Sequence, residues 1–415
     1  MLNFLIKAAD LAADIAGINP TSFAADEMLA HAENYAGRPL RDSSVEGALS
    51  RLLRAYREEA NLSVFGALAA KWDVMRCLAN LIRFEKEEEH DARILRGAIE
   101  KPIFITGLPR SGTTFLHSLA ALDPANRTPL TWQTISPYPA EGRTNGADNR
   151  RKRVARQLRT FERLTPGIRQ LHPLSADAPQ ECTDITAQIF ESLRFDTMYH
   201  VPSYQRWLDA RGHVGAYRFH KRFLQHLQIQ SDPGQWFLKC PDHVFAFDAI
   251  DAVYPDARFV FVHRDPLSVL PSVAKLTALL RRPFTRALDE HQIGQQVTER
   301  WSEGTRLMIE RCVNWRGGRH RIFHVHYEEL TAKPLETVIA LYDRFDLDFG
   351  GKARARMRDF LDRTPHGGYG NNRYSFEEFG LERRELQRRF GNYAAYFDIT
   401  GCKPSNRQEE ARGTA

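Results

Sequence analysis

Cysteine is scarce in this chain and spaced for neither metal nor disulfide work. Its five residues, Cys77, Cys182, Cys240, Cys312 and Cys402, lie far apart, in odd number, with no Cys-x-x-Cys or Cys/His ligand spacing. That pattern reads as a reducing compartment and no structural metal. Long apolar runs are missing too: no stretch of about 18 residues is free of charge, so no transmembrane segment is expected. The opening stretch MLNFLIKAADLAADIAG carries Asp10 and Asp14 inside its apolar pattern and has no basic region before a greasy run. The expectation is a cytoplasmic protein without a signal peptide, in which the sequons at Asn61 and Asn126 are chance matches. There is no internal repeat, and no strong excess of one charge: 58 Lys and Arg against 52 Asp and Glu leave +6. This suits an anionic ligand and does not demand nucleic acid, which is not expected as a partner.

What is present is an ordinary globular composition, 42% apolar and 27% charged, over 415 residues. One large domain with a smaller appendage is the starting expectation. Residues 1–98 show hardly any strand signal. The stretches SSVEGALSRLLRAYREEANL and LAAKWDVMRCLANLIRFEKEEEH repeat apolar residues at i, i+3, i+4 spacing, which predicts helices that must pack on something. Over 99–400 the pattern changes to short strands alternating with helices. Ile103 to Thr106, Trp236 to Lys239, Arg258 to His263 and Arg321 to Tyr327 read as strands, the last three followed by the helical VFAFDAIDAVYP, PLSVLPSVAKL and PLETVIALYDRFDL. Such alternation predicts an α/β fold, a P-loop-like parallel sheet flanked by helices with a helical N-terminal appendage, and ligands at the carboxyl ends of the strands. Residues 129–234 form an insertion too long for a plain loop and read as helical. Residues 401–415 are a polar tail.

The chemistry concentrates in KPIFITGLPRSGTTFLHSLAALDP, from Lys101 to Pro124. It reads strand, tight loop, helix. A nucleotide-triphosphate loop has the pattern G-x-x-x-x-G-K-[ST], with a lysine for the terminal phosphates. Gly107 and Gly112 hold the glycine positions, but Thr113 stands where the lysine belongs and the charge has moved to Arg110. The N–H groups from Ser111 to Thr114 form an anion nest at a helix N-terminus, and the planar fork of Arg110 suits two oxygens of a phosphate or sulfate.

At this loop the chain resembles the sulfotransferases that use 3′-phosphoadenosine 5′-phosphosulfate (PAPS), in the bacterial branch related to tyrosylprotein sulfotransferases. The family's P-[KR]-[ST]-G-T-T-[WFL] is matched by Pro109 through Phe115, which the resemblance makes the 5′-phosphosulfate loop, with Phe115 where an adenine-stacking tryptophan stands elsewhere. In FVFVHRDPLSVLPSV, Arg264 after a strand and Ser272 on the next helix have the family's spacing for the 3′-phosphate. His263-Arg264-Asp265 is also similar to a kinase catalytic loop, but Leu270 occupies the place of the required Asn and no Asp-Phe-Gly follows. HYEELTAKPLETVIALYDRFDL resembles the family's Tyr-Glu-Asp-Leu segment and implies Tyr327 at the adenine site. PHGGYGNNRYSFEEFGL resembles a late segment of the bacterial branch and implies Arg373 near the 3′-phosphate or in a lid.

The implied reaction is in-line transfer of a sulfuryl group from PAPS to a hydroxyl acceptor, with 3′,5′-ADP as product and no metal, because sulfate carries less charge than a terminal phosphate. Arg110, the loop N–H groups and Lys239 at the end of FLKCPDH supply the electrostatic stabilisation. For the general base His243 ranks first, near where relatives place a catalytic histidine but two positions displaced, and Glu181 second. Where tyrosylprotein-type relatives carry a glutamate, PLTWQTISP has Gln133. Aromatics interleaved with His and Arg in FDTMYHVPSYQRWL and GAYRFHKRFLQHLQ suit a phenol, carbohydrate or lipid alcohol as acceptor. The basic run RRKRVARQLR, from Arg150 to Arg159, reads as a solvated helix face, with nucleic acid or anionic lipid as its other possible contacts. The rival functions are a P-loop nucleotide kinase or NTPase, and a catalytically silent nucleotide-binding protein. Oligomeric state has no signature here.

Overall fold

The computed structural model describes residues 10–13, 15–16, 24–139, 148–171, 174–231, 234–314, 318–364 and 375–399. Five parallel strands form one sheet in the order β2-β3-β1-β4-β5. They are β1 (Ile103–Gly107), β2 (Asn126–Arg127), β3 (Gln235–Lys239), β4 (Arg258–His263) and β5 (Ile322–His326). The four strands read from the pattern are present. The fifth, β2, has two residues with no periodicity of their own and exists through pairing with Gln235 and Trp236. Chain order reverses around β1, with β3 on one side and β4 on the other, so their carboxyl ends open a crevice at the switch point.

Every residue of β1 is buried, as a strand covered on both faces must be. The pleat sorts the side chains. Phe104, Leu238, Phe259 and Phe261 enter one apolar core and Ile103, Ile105, Phe237, Val260 and Val262 the other. The second core is closed by the helices Thr113–Ala120 and Pro334–Phe345. The first is continuous with the insertion and with the N-terminal helices Val45–Glu58 and Val64–His90, whose Leu49, Leu52, Leu53, Tyr56, Leu78 and Phe84 point into it. The partner of the N-terminal helices is thus the Phe104 face of the sheet, reached through helices of the insertion such as Val214–Gln228. A 25-residue helix, Glu290–Asn314, joins the sheet's fourth and fifth strands and was not singled out in the pattern; its apolar Ile293, Val297, Trp301 and Met308 are buried.

One contact pins the N-terminal helices to the rest. Ser63 caps the helix Val64–His90 by accepting from the Gly66 N–H at 2.9 Å, while its own N–H donates to the Phe284 carbonyl at 2.9 Å. The backbone of Gly66 comes so near that a Cβ there would lie 1.9 Å from the Phe284 oxygen. A Gly66→Ala variant should therefore lose on the order of 1–3 kcal/mol or more of stability, because backbone rather than a side chain must retreat; a melting temperature equal to wild type would refute this contact.

Several histidines are buried as neutral rings. His117 bonds the Phe237 carbonyl at 3.1 Å, His220 the Tyr254 hydroxyl at 2.7 Å, and His263 both the Tyr393 hydroxyl at 3.1 Å and His324 at 2.9 Å. Burial pushes His117 and His220 down to about 3 and His324 to about 4, and holds His263 well below its ordinary value. In the unfolded chain the same rings take protons near pH 6.5, so unfolding takes up protons below that pH. Stability should be full above pH of about 6.5 and fall as the pH drops toward 4, by about 1.4 kcal/mol per unit for each such ring. Calorimetric melting between pH 8 and 4.5 checks this, and a flat profile contradicts it.

Candidate active site

The loop after β1 runs from Leu108 to Gly112 and ends in the helix Thr113–Ala120. Arg110 sits at its turn with φ of 62°, a left-handed conformation that costs a non-glycine residue about 1–2 kcal/mol. Gly112 has φ of 96°, and a Cβ on it would come within 3.0 Å of the Tyr327 ring, so glycine is required on both counts. Among the described residues, the N–H groups of Gly112, Thr113, Thr114 and Phe115 donate to no acceptor. The buried Ser111 hydroxyl has no partner either. These are open donors at a helix N-terminus, the arrangement that receives an anion.

Around this nest the structure gathers residues from distant segments. The Arg110 guanidinium donates from Nε to Ser272 Oγ at 3.2 Å and from Nη1 to the Leu171 carbonyl at 2.6 Å. Arg264, beyond the end of β4, donates to the Arg110 carbonyl at 2.6 Å, and its guanidinium lies 3.8 Å from the centre of the Tyr327 ring. Arg110, Arg264, Ser272, Tyr327, Phe115 and Thr114 line one cavity of about 1610 Å³. Lys239, at the end of β3 and 1% exposed, donates to Thr114 Oγ1 at 3.2 Å and pairs with Glu181 Oε1 at 2.5 Å. Glu181 is brought there because it bridges the Lys239 backbone in parallel, and its side chain is on the cavity wall.

The family model described as the sulfotransferase family matches residues 102–350. The chain belongs to the sulfotransferase family. This sulfotransferase is 25% identical over 314 residues to an omega-hydroxy-beta-dihydromenaquinone-9 sulfotransferase of Mycobacterium tuberculosis, and equally to that of Mycobacterium bovis, over 69% of this chain and 72% of the relative. Its structure is similar to that of sulfotransferase STF1 from Mycobacterium tuberculosis, with 28% identity, a TM-score of 0.78, and coverage of 90% of this chain and 100% of the other. It is also similar to sulfotransferase STF9 from Mycobacterium avium, with 27% identity, a TM-score of 0.81, and coverage of 92% and 98%. The protein is an enzyme that transfers a sulfuryl group, and the family implies PAPS as its co-substrate.

The residues present fit that co-substrate. Open N–H donors stand at the helix N-terminus where Gly112, Thr113 and Thr114 line the cavity, and Arg264 with Ser272 offers a second anion site in the same crevice. The kinase reading finds no support in this geometry. Asp265, its remaining strand-end carboxylate, caps the helix Pro266–Arg281 by accepting from the Leu267 N–H at 3.0 Å. No group that could hold a metal ion occurs among the described residues. Gln133 accepts from the Leu130 N–H at 3.0 Å, closing its own helical turn, and is not on the cavity wall. Arg373 lies outside the described residues. Phe115 is 8% exposed and stacks on Phe360 at 6.5 Å, so most of its ring belongs to the core under the loop.

The sulfotransferase departs most from the sequence reading at His243. The histidine is fully buried, edge-on to Phe104 at 4.9 Å, with Nδ1 sharing a hydrogen bond of 2.5 Å with the Tyr217 hydroxyl. Burial, then the charges of neighbouring groups, holds it well below its ordinary range. The 3-10 turn Pro241–Phe245 explains this, because consecutive side chains on such a turn point about 120° apart. That turn sends His243 into the core and the preceding Asp242 to the cavity wall. Asp242 belongs to none of the motifs read from the sequence. Its position three residues after Lys239 was visible, but its direction was not. Burial raises its carboxyl to about 7, the neighbouring Glu181 adds to the rise, and Arg300 opposes it. A second unread group is the pair of Arg76 and Arg194, both bonded to Asp73 on the cavity wall.

In a thermal-shift assay 3′,5′-ADP at a hundredfold excess over its Kd should stabilise the protein by about 2.7 kcal/mol, while ATP with Mg²⁺ gives a much smaller shift. Arg264→Ala should remove most of the 3′,5′-ADP shift; equal shifts from the two nucleotides would contradict the two-anion crevice.

Proposed function

We propose that this sulfotransferase moves the sulfuryl group of PAPS onto the terminal hydroxyl of a long apolar alcohol, a lipid alcohol rather than a sugar or simple phenol. The observation that carries the reading is the cavity. At about 1610 Å³ it exceeds the ~300–1,000 Å³ of an ordinary ligand pocket, and beyond the anion crevice Phe65, Trp72, Phe161, Met198, Leu280 and Phe284 form an apolar part of its wall beside charged groups such as Asp73, Arg76 and Arg194. A sugar would leave this wall wet. The relative's activity on omega-hydroxy-beta-dihydromenaquinone-9, as its name states, supports the same acceptor class.

PAPS supplies a sulfuryl group activated by its bond to the 5′-phosphate. Around it the chain's own groups divide the work. The loop N–H groups and Arg110 hold the phosphosulfate oxygens and stabilise the charge that collects on the departing phosphate. Lys239 faces the same oxygens from β3, and Arg264 with Ser272 holds the 3′-phosphate. Glu181 takes the acceptor's hydroxyl proton as the O–S bond forms. Supporting this, Glu181 lines the cavity beside Lys239, with its side chain 29% exposed. Moving Lys239 from Glu181 to a sulfuryl oxygen frees the carboxylate for the acceptor. His243, fully buried against Phe104, is not on the cavity wall.

Labelled PAPS offered with a long-chain alcohol, a phenol and a monosaccharide should give product with the first in strong preference; equal or better turnover of the sugar sinks the acceptor reading. Glu181→Gln should lower kcat about 10²–10⁴-fold with little change in KM for PAPS, whereas His243→Phe should alter stability more than kcat. Retained activity in Glu181→Gln with loss in Asp242→Asn would move the base to Asp242.

A further inference from the structure

The helix Arg150–Leu164 has two faces of opposite character. Leu158, Phe161 and Leu164 line the acceptor cavity. On the outside Lys152, Arg156, Arg159 and Arg163 follow one another at i, i+4, i+7, i+11, a single exposed stripe. These four cations form no ion pair among the described residues, unlike their neighbours Arg150 and Arg151, which pair with Asp148 and Asp177. Lys152, Arg156 and Arg159 also share a surface hollow.

The stripe lies beside exposed apolar surface. Phe161 stacks on Phe284 at 6.1 Å and Phe284 on Phe65 at 5.9 Å, so this helix and the start of the helix Val64–His90 meet over one ring. On that second helix Leu68 and Trp72, one turn apart, line the cavity yet remain 62% and 51% exposed, which puts them at its mouth. Exposed Lys71 stands between them. Asp10 accepts from the Val64 N–H at 2.7 Å and so holds Leu11, itself 61% exposed, at the same helix end.

We propose that this face docks on an anionic lipid bilayer, with Leu68 and Trp72 dipping into the interface and the Lys152–Arg163 stripe over acidic headgroups, so that the acceptor passes from bilayer to cavity without crossing water. The placement rests on the lipid-alcohol reading above; the charge and the apolar mouth are observed independently of it. Because the apolar side of this helix is turned to the cavity, its cations serve the headgroups while Leu68 and Trp72 supply the apolar contact, the pairing of charge and apolar side chains that holds a protein to an anionic surface. A nucleic acid would use the cations but leave Leu68 and Trp72 unsatisfied.

The experiment is sedimentation of the full chain with vesicles of phosphatidylglycerol and phosphatidylcholine, of phosphatidylcholine alone, and with duplex DNA as competitor. Binding to the anionic vesicles, little to the neutral ones, and at least about a tenfold loss of affinity in the doubly substituted Arg156→Glu, Arg159→Glu protein is the expected result. That variant should keep wild-type turnover of detergent-dispersed long-chain alcohol; if its melting temperature falls, the Lys152→Gln, Arg163→Gln pair takes its place. No binding, equal binding to neutral vesicles, unchanged affinity in the variants, or full displacement by DNA overturns the docking face. Turnover of the detergent-dispersed alcohol tests the acceptor reading separately, and a failure there does not alter what sedimentation says about docking.

Discussion

The crevice beyond β1, β3 and β4 gathers two guanidinium groups and a lysine ammonium, and their mutual repulsion must be met before any ligand arrives. The protein meets much of it with dipoles. Arg264 lies between the Arg110 carbonyl and the face of Tyr327, and Arg110 reaches the Leu171 carbonyl and Ser272. Carbonyls and an aromatic quadrupole orient a cation without cancelling its charge. A doubly anionic nucleotide therefore meets donors that are already aimed, which is what electrostatic preorganisation requires. Lys239 is paired with a carboxylate, Glu181. That pair joins the end of β3 to the cavity wall, where Glu181 is the base proposed above.

The contact that closes the core also shapes the cavity. Gly66 lets the helix Val64–His90 press its backbone against Phe284, and the rings of Phe65, Phe284 and Phe161 then stack to join three segments over the apolar lobe. An enzyme with only the sheet and its loop would bind nucleotide and have nowhere to put an acceptor. The N-terminal helices and the insertion supply that wall while burying the Phe104 face of the sheet. Stability and the shape of the cavity thus rest on the same packing.

Much of the candidate anion site is legible in the sequence because it is local. Pro109 to Phe115 is a contiguous loop, and Arg264 with Ser272 is separated by a fixed stretch of strand end and helix. The strands with a full apolar pattern were legible too. β2 was not, since two residues carry no period, and the helix Glu290–Asn314 was passed over. The apolar lobe of the cavity is marked in the sequence only by the aromatics of the insertion. Several of them, Phe195, Tyr204 and Phe223 among them, are buried core, and residues of the N-terminal helix that had no assigned task line the cavity.

The amino-acid order alone determined the strand-loop-helix with its open donors and the charge at Arg110, because these are set by neighbours in the chain, and it determined the alternation that makes a parallel sheet. Only the folded structure decided that Asp242 and Glu181, and not His243, line the cavity. Side-chain direction after a strand end depends on the phase of one short turn and on partners such as Phe104 and Tyr217, which come from other elements of the chain. The apolar lobe is of the same kind, assembled from helices far apart in sequence, and no local pattern encodes it.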